Sequence, residues 1–575
     1  MADYLHEGLR LYLDELVDWA GYFRYRKGED VDVEAERAAL LGVLTTCAEI
    51  CREIEPRARA GWDEPARLVD GEVVVPDHIA WGYERLKEAG LVSLGVREEY
   101  GGFELPALIG NIVLQMISRA DAALMTVMGL QSGVAEDIQK YASEELCREY
   151  LPRFVTGELQ GAMDLTEPQA GSDLGGIQTR ATEEDGRFFL DGQKIFITNG
   201  GAHVHLVLVR DDDTFEQSKG STRGLSLYLC PRVLPDGKPN RLKVARLEHK
   251  MGIHGSPTAV IEFDHAEAFR IGVKGEGFKA MLDLMNNARI GVAAQGIGIA
   301  EAAVEEAIRY ARERKQFGKP IAEQPLMKNM LARMVLNLEG GRALLYRVAV
   351  LIDRNSAIDA YLERERDVSE VERSELERVK QNNLVRIRLL TPLAKYLGTE
   401  SCDEITRMAI QVHGGIGFMA ESIVGKLHLD GIITTIYEGT SEIQVSFALK
   451  EIGKGALTIV FDELRKELGE LEGKLAPLAD RVRAGIERIQ ESSPALLQDF
   501  NYALLSSRLV AEMVISVIVA TELLRQAAVA PSRLDLAASW INRRMLEVEM
   551  HAARVGSGDV DRINRCERIV ALLEE

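Results

Sequence analysis

The sequence predicts a mainly α protein with a central β domain and an additional C-terminal helical block. Two observations carry that reading. Apolar residues recur at helical spacing up to about residue 160 and again after about 275, in stretches rich in Leu, Ala and Glu. Between those stretches the texture changes to short β-type runs separated by Gly, Asn, Asp and Pro turns. A chain of 575 residues also exceeds what one compact core ordinarily takes, so several domains are expected.

Residues 1–79 read as an N-terminal helical extension and 80–160 as a helical domain. Leu5, Leu9, Leu13, Leu16 and Val17 form the apolar face of the first helix, and the valine run 73–75 before Pro76 marks a break. Residues 161–272 read as a small antiparallel β domain, with strands at 187–190, 194–198, 204–210, 225–230 and 259–264 and turns at Asp191-Gly192 and Asn199-Gly200-Gly201. Residues 273–455 return to helix: Leu326, Met330, Leu331, Met334, Val335 and Leu338 make a wide apolar stripe, and Pro325 suits a helix start. The charge-rich insertion 353–383 reads as solvated helix or inserted loop. Residues 456–575 form a further helical domain, punctuated by Pro477, Pro494 and Pro531.

Composition excludes several classes. The formal net charge of −21 disfavours non-specific binding to nucleic acid or anionic membranes, though a local cationic pocket for an anionic ligand is compatible with it. The C-terminal block, with 15 Lys+Arg against 19 Asp+Glu, lacks the basic footprint of a nucleic-acid-binding module. Six cysteines in a chain this long make no disulfide framework; Cys47 and Cys51 share a helix face and read as buried thiols, with no metal site expected. The acidic N-terminus does not read as a signal peptide. The apolar stretch around 509–520 is interrupted by Glu512 and reads as too short to span a bilayer, so no membrane insertion and a cytoplasmic location are expected.

Five segments carry chemistry-bearing residues, and each has an ordinary structural role as its alternative. In AMDLTEPQAGSDLGG (162–176), Thr166 offers a hydroxyl, and Gly171 and Ser172 a turn whose amides can meet phosphate or carbonyl oxygens. In KIFITNGG (194–201), alternation puts Phe196 and Thr198 on one side of a strand, where an aromatic and a hydroxyl can flank a planar heterocycle. RERKQFGKPIAEQP (312–325) is a local cationic cluster suited to a pyrophosphate. QVHGGIGFMAES (411–422) lets the backbone approach a ligand closely but does not fit a dinucleotide fingerprint; His413 beside its glycines reads as packed or hydrogen-bonded, not catalytic. In IYEGTSEIQ (436–444), Glu438 sits among apolar and aromatic neighbours, where desolvation would strengthen a carboxylate base.

Together, in this order and spacing, these segments resemble the acyl-CoA dehydrogenase family, as do EEYGGFE (98–104) and KMGIHGSPT (250–258). The resemblance covers roughly residues 80–450. It implies an N-terminal helical domain, a middle β domain and a C-terminal helical bundle, with bound FAD. Thr166, Gly171, Ser172, Phe196, Thr198 and Thr440 match the family's flavin contacts. Arg314, Phe317, Gln324, Gln411, Gly414 and Gly415 match positions that usually reach the adenine and pyrophosphate half from a neighbouring subunit, which implies a homo-oligomer.

The same resemblance places the catalytic base at one of two positions, here Glu438 and Ala288, so it assigns the role to Glu438. Ser172, Arg289, Tyr437 and Gly439 match substrate-side positions. The implied reaction is α-proton abstraction from an acyl-CoA with β-hydride passing to the flavin, yielding a trans-2-enoyl-CoA. The amide of Glu438 and a flavin ribityl hydroxyl would polarise the thioester, and an electron-transferring flavoprotein would take the electrons. The extra length resembles a long subgroup that includes methylthiopropionyl-CoA and broad-range fatty acyl-CoA dehydrogenases, in which dimers are favoured over tetramers. An acyl-CoA oxidase or other non-dehydrogenating acyl-CoA enzyme on the same scaffold is the alternative, and a non-enzymatic nucleic-acid-binding relative, against which the slightly acidic C-terminal block speaks, is the alternative from another class.

Overall fold

The computed structural model describes residues 3–365 and 367–573, apart from the side chains of residues 283 and 284. The chain forms two compact units: one from the described residues of Met1–Ala39, Ile308–Met408 and Thr435–Glu575, the other from Leu40–Ala307 and Ala409–Thr434.

In the second unit, helices Asp77–Glu88, Ala107–Ala120, Ala122–Tyr141 and Glu144–Val155 precede a seven-stranded sheet. Capping residues fix where two of these helices begin. The Asp121 carboxylate accepts from the amides of Ala123 and Leu124 at 2.9 and 3.0 Å, and Ser143 accepts from that of Leu146 at 3.3 Å. A hairpin, Arg67–Val69 with Glu72–Val74, takes up the valine run within this otherwise helical stretch.

The sheet is mixed. Gly161–Asp164 and Arg180–Glu184 both run parallel to Val204–Asp211, and the remaining pairs are antiparallel. Val204–Asp211 is buried on both faces. Its Leu206 and Leu208 join the cluster of Val134, Ile138 and Phe154, while Val207 and Val209 join that of Tyr228, Ile261 and Phe263. Period-two alternation with two covered faces produces a continuous apolar run.

The expected strands 187–190 and 194–198 are one strand, Arg187–Thr198, along Thr258–Ile271. Asp191-Gly192 is therefore no turn: the register shifts there, Gly192 has φ +148°, and a Cβ on it would lie 2.6 Å from Thr179 Oγ1. The extra residue at that shift is His265 on Thr258–Ile271, at φ +58°, so Arg187–Thr198 passes the bulge without reversing.

Asp430 ties residues 409–434 into this unit. Its carboxylate accepts from the Trp62 indole at 2.7 Å and from the Ile253 amide. Burial pushes Asp430 up to about 7, against the pull of those two donors, and burial likewise raises Asp121 against the opposing effect of His78. The folded unit thus holds protons that an unfolded Asp, near ~3.9, releases. That contribution is present below about pH 4 and is lost as pH rises through about 7. The calorimetric melting temperature of this unit is expected to fall between about pH 4 and 7; a flat or rising profile contradicts the assignment.

In the first unit, helix Phe500–Val529 runs against Leu534–Gly556, Ala476–Ser492 and Ser441–Gly453. By length and composition it is apolar enough to cross a membrane, so the expectation of too short an apolar run does not hold. Most of that run is buried within the unit, which is where its apolarity goes. Arg347 joins the C-terminal block to helix Pro325–Arg364: it donates to Glu522, itself fully buried, at 3.0 Å and to Glu467 at 2.9 Å. The N-terminal segment packs on the same helix, with Tyr12 edge-on to Tyr346 and Arg26 donating to Ser356 at 2.9 Å. The 353–383 stretch is the end of helix Pro325–Arg364 and the start of helix Glu370–His413. Cys47 and Cys51 are buried with sulfurs 3.9 Å apart, and among the described residues no group of His, Cys, Asp or Glu is arranged to hold a metal.

Candidate functional site

Backbone strain marks the candidate site. Among the described residues, nine that are not glycine have a left-handed φ, and six of them, Glu104, Phe196, Asn199, Ile253, Phe317 and Glu438, lie in the segments singled out above. Such conformations cost of order 1 kcal/mol or more each for side chains of these kinds and gather where function demands them.

On the β unit, Thr166 is half-buried and its carbonyl accepts from the Ile195 amide at 2.8 Å, which joins the 162–176 loop to the 194–201 segment. Gly171 and Ser172 are exposed, and a Cβ on Gly171 would meet no atom within 4 Å. Phe196 has φ +58° at a register shift between Lys194 and Ile197, and it is 60% exposed; Thr198 is half-buried. The extra residue of that bulge interrupts the simple alternation from which Phe196 and Thr198 were paired. The bulge, not the alternation, turns the ring outward.

Sequence reasoning missed what holds this loop. Lys194, fully buried, donates to Glu167 at 2.8 Å and to the carbonyls of Leu165 and Leu208 at 3.0 and 2.7 Å. Glu167 also accepts from the Gln178 and Thr179 amides and from the Gln169 side chain. Burial alone would raise Glu167, yet the Lys194 ammonium and the amide donors hold it below the ordinary carboxylate range. Buried Arg210 donates to the carbonyls of Gly175, Ser218 and Ser221 at the loop's far end. The signal available in sequence was a lone Lys inside an apolar strand.

Gln411, Gly414 and Gly415 are exposed; Gly414 has φ +62°, and a Cβ on either glycine would meet open space. His413 is buried, with Nδ1 2.8 Å from the Ala409 carbonyl, a packed role. Arg289 is buried and donates to Asn286 at 2.9 Å, and Ala288 packs on the apolar cluster that includes Met281.

On the other unit, Arg314 begins a two-residue hairpin, Lys315–Gln316 with Lys319–Pro320, whose turn is Phe317-Gly318 at φ +54° and +79°. Two successive positive φ values suit a hairpin turn and leave Phe317 94% exposed. Gln324 precedes helix Pro325–Arg364, with its buried side-chain nitrogen unpartnered.

The turn 436–440 ends at Thr440, the N-cap of helix Ser441–Gly453. Tyr437, Glu438 and Gly439 are half-buried, Thr440 is exposed, and the two central residues have φ +55° and +91°. A Cβ on Gly439 would lie 2.7 Å from Gln444 Nε2 and displace that side chain, and a φ of +91° already favours glycine. Gln444 donates to the carbonyls of Glu438 and Gly439, both at 2.9 Å, and buried Lys395 donates to that of Gly439 at 2.8 Å. The helix N-terminus that follows favours negative charge nearby. Tyr396 and Glu400, four apart on helix Glu370–His413, meet Glu512 and Arg508, four apart on Phe500–Val529, at 2.7 and 2.8 Å. Glu400 also accepts from Ser441, and Arg508 also donates to Glu442, so the C-terminal block reaches the first turn after the site.

The chain matches three family models: acyl-CoA dehydrogenase, N-terminal domain, over residues 45–158; middle domain, over 162–266; and C-terminal domain, over 275–365 and 374–453. It is 32% identical over 514 residues to the 3-methylmercaptopropionyl-CoA dehydrogenase of Ruegeria pomeroyi, covering 86% of this chain and 83% of that protein. It is 34% identical to the caffeyl-CoA reductase-Etf complex subunit CarC of Acetobacterium woodii, over 63% of this chain and 86% of that one. The FAD complex of a Bacillus anthracis acyl-CoA dehydrogenase shares the fold, with a TM-score of 0.73 at 23% identity over 95% of this chain and 91% of that one. The chain belongs to the acyl-CoA dehydrogenase family of oxidoreductases.

Proposed function

We propose that this chain oxidises an acyl-CoA to a trans-2-enoyl-CoA, with Glu438 as the α-proton base, FAD as cofactor and an electron-transferring flavoprotein as acceptor. The observation that carries this is the Glu438 turn. A half-buried glutamate is held in a left-handed backbone conformation, with its own and the next carbonyl tied down, while the rival position holds Ala288.

The residues present fit FAD. Phe196 is turned out of its strand by a bulge, Gly171 and Ser172 are exposed, and a Cβ on Gly171, Gly414 or Gly415 would meet no atom within 4 Å. Thr166, Gly171, Ser172, Phe196, Thr198 and Thr440 would hold its flavin half. Arg314, Phe317, Gln324, Gln411, Gly414 and Gly415 would serve the adenine and pyrophosphate half of a second subunit's cofactor. The exposure of Phe317, at the tip of its hairpin, accords with that. The flavin supplies hydride acceptance.

The protein's part is proton chemistry and alignment. An α-proton of a thioester is too weakly acidic for a bare carboxylate at neutral pH, so a donor must stabilise the enolate oxygen as charge develops. The Glu438 amide is that donor, with the Glu438 carboxylate taking the proton. Arg289, Ser172, Tyr437 and Gly439 are assigned to the substrate.

The test is anaerobic reduction of the bound flavin by a panel of saturated acyl-CoAs, followed by reoxidation with an electron-transferring flavoprotein. Bleaching by at least one acyl-CoA is expected. Rapid peroxide formation with oxygen as sole acceptor points instead to an oxidase. A dimer is expected in solution, and a tetramer by sedimentation overturns that part of the reading.

A further inference from the structure

The Glu438 turn is held by two side chains that come from different helices and have no role in the chemistry described so far. Lys395, on helix Glu370–His413, is fully buried and its ammonium donates to the Gly439 carbonyl at 2.8 Å. Gln444, on helix Ser441–Gly453 and also fully buried, donates from one nitrogen to the carbonyls of both Glu438 and Gly439. These carbonyls belong to the two successive peptides that follow Glu438, and both Glu438 and Gly439 have positive φ. A left-handed glutamate relaxes toward ordinary backbone unless its surroundings over-determine it. Two donors converging on neighbouring carbonyls are such a determinant.

Lys395 thus places a buried ammonium on the Gly439 carbonyl. Its stem is also anchored: the next residue, Tyr396, donates to Glu512 at 2.7 Å with Arg508 over its ring, and Glu400 one turn on is paired with Arg508. The helix carrying Lys395 is thus pinned on another face by the C-terminal block.

We propose that Lys395 and Gln444 are positioning residues for proton abstraction: they fix the 438–439 and 439–440 peptides so that the Glu438 carboxylate and amide keep the orientation the reaction needs. The C-terminal block supports that geometry through Tyr396 and Glu400. This rests on the reading of Glu438 as the base. Neither side chain touches substrate in the proposal; both act through the turn.

The predicted signature is a split between chemistry and binding. Lys395→Met keeps an unbranched stem and leaves Gln444 on both carbonyls, so neither carbonyl is orphaned. Gln444→Met leaves Lys395 on Gly439. In FAD-loaded enzyme mixed anaerobically with the best acyl-CoA of the panel, each variant is expected to lower the limiting rate of flavin reduction about 10- to 100-fold, a loss of the size that small misplacements produce. The acyl-CoA concentration at half-saturation, FAD content and melting temperature should stay near wild-type values. A role in packing alone would move the melting temperature and FAD content together with the rate.

Glu438→Gln measured alongside separates the two readings. If that variant still reduces its flavin at the wild-type rate, the base assignment fails. If it is inactive while Lys395→Met and Gln444→Met both run at the wild-type rate, the base stands and the positioning proposal is overturned. Rates that fall in both positioning variants only in proportion to folded, FAD-loaded protein overturn it as well.

Discussion

Glu438→Gln is expected to retain FAD and to bind acyl-CoA while lowering the limiting rate of flavin reduction by about 10³-fold or more. The substitution is nearly isosteric, so the three hydrogen bonds that Lys395 and Gln444 donate to the turn's two carbonyls remain. What disappears is the acceptor for the α-proton. The amide at 438 is still present to polarise the thioester, so binding is spared and the chemical step is not. Rapid-mixing spectroscopy reads the rate, and equilibrium titration reads the binding. A variant that reduces its flavin at near wild-type rate contradicts the assignment.

The largest stability effect is expected at Lys194. Lys194→Met removes the ammonium that Glu167 and two carbonyls share in the interior of the β unit. Breaking one side of a buried ion pair costs about 3–5 kcal/mol, because the remaining charge stays desolvated. Glu167 keeps its amide donors from Gln178 and Thr179, so the cost falls toward the lower end of that range at neutral pH. Since Glu167 lies below its ordinary value when folded, its contribution is present above an unfolded carboxyl pKa near ~4.3 and is lost as pH falls further. The gap between wild type and variant should therefore narrow in acid. Glu167 closes the base of the loop bearing Thr166, Gly171 and Ser172, so FAD content is expected to fall with stability. Denaturant unfolding and flavin content per chain check both. A variant as stable as wild type, with full flavin, contradicts the role given to the pair.

Much of the architecture was legible because periodicity survives in a single sequence. Helical spacing marked the stripe that begins helix Pro325–Arg364, and turn-rich β runs marked the middle domain. The strands at 161–164, 180–184 and 242–247 were not read, because two are short or polar and the first abuts a helical segment. Asp191-Gly192 looked like a turn because Asp-Gly is a common turn pair; it lies instead within a strand, opposite a bulge at His265 on the neighbouring one. The Phe500–Val529 helix was underestimated because one charged residue, Glu512, interrupts its apolar run; that charge is met by Tyr396 and Arg544, partners no local window contains.

For the site, the motif residues were legible as segments and their supports were not. Phe317 and Phe196 stood in recognisable runs, but their left-handed backbones follow from a hairpin turn and a bulge. Lys395 is 44 positions from the carbonyl it holds and sits in a helix with no local mark of function. Side chains that act on backbone atoms across such separations leave no spacing to read.

The most direct measurement of the central claim is anaerobic mixing of the FAD-loaded protein with saturated acyl-CoAs, following the flavin's visible absorbance and the mass and double-bond position of the product. Bleaching by at least one saturated acyl-CoA, with a trans-2-enoyl-CoA formed in equal amount and neither event in Glu438→Gln, is the predicted result. A flavin that stays oxidised with every acyl-CoA offered, or one that bleaches equally in Glu438→Gln, would contradict it.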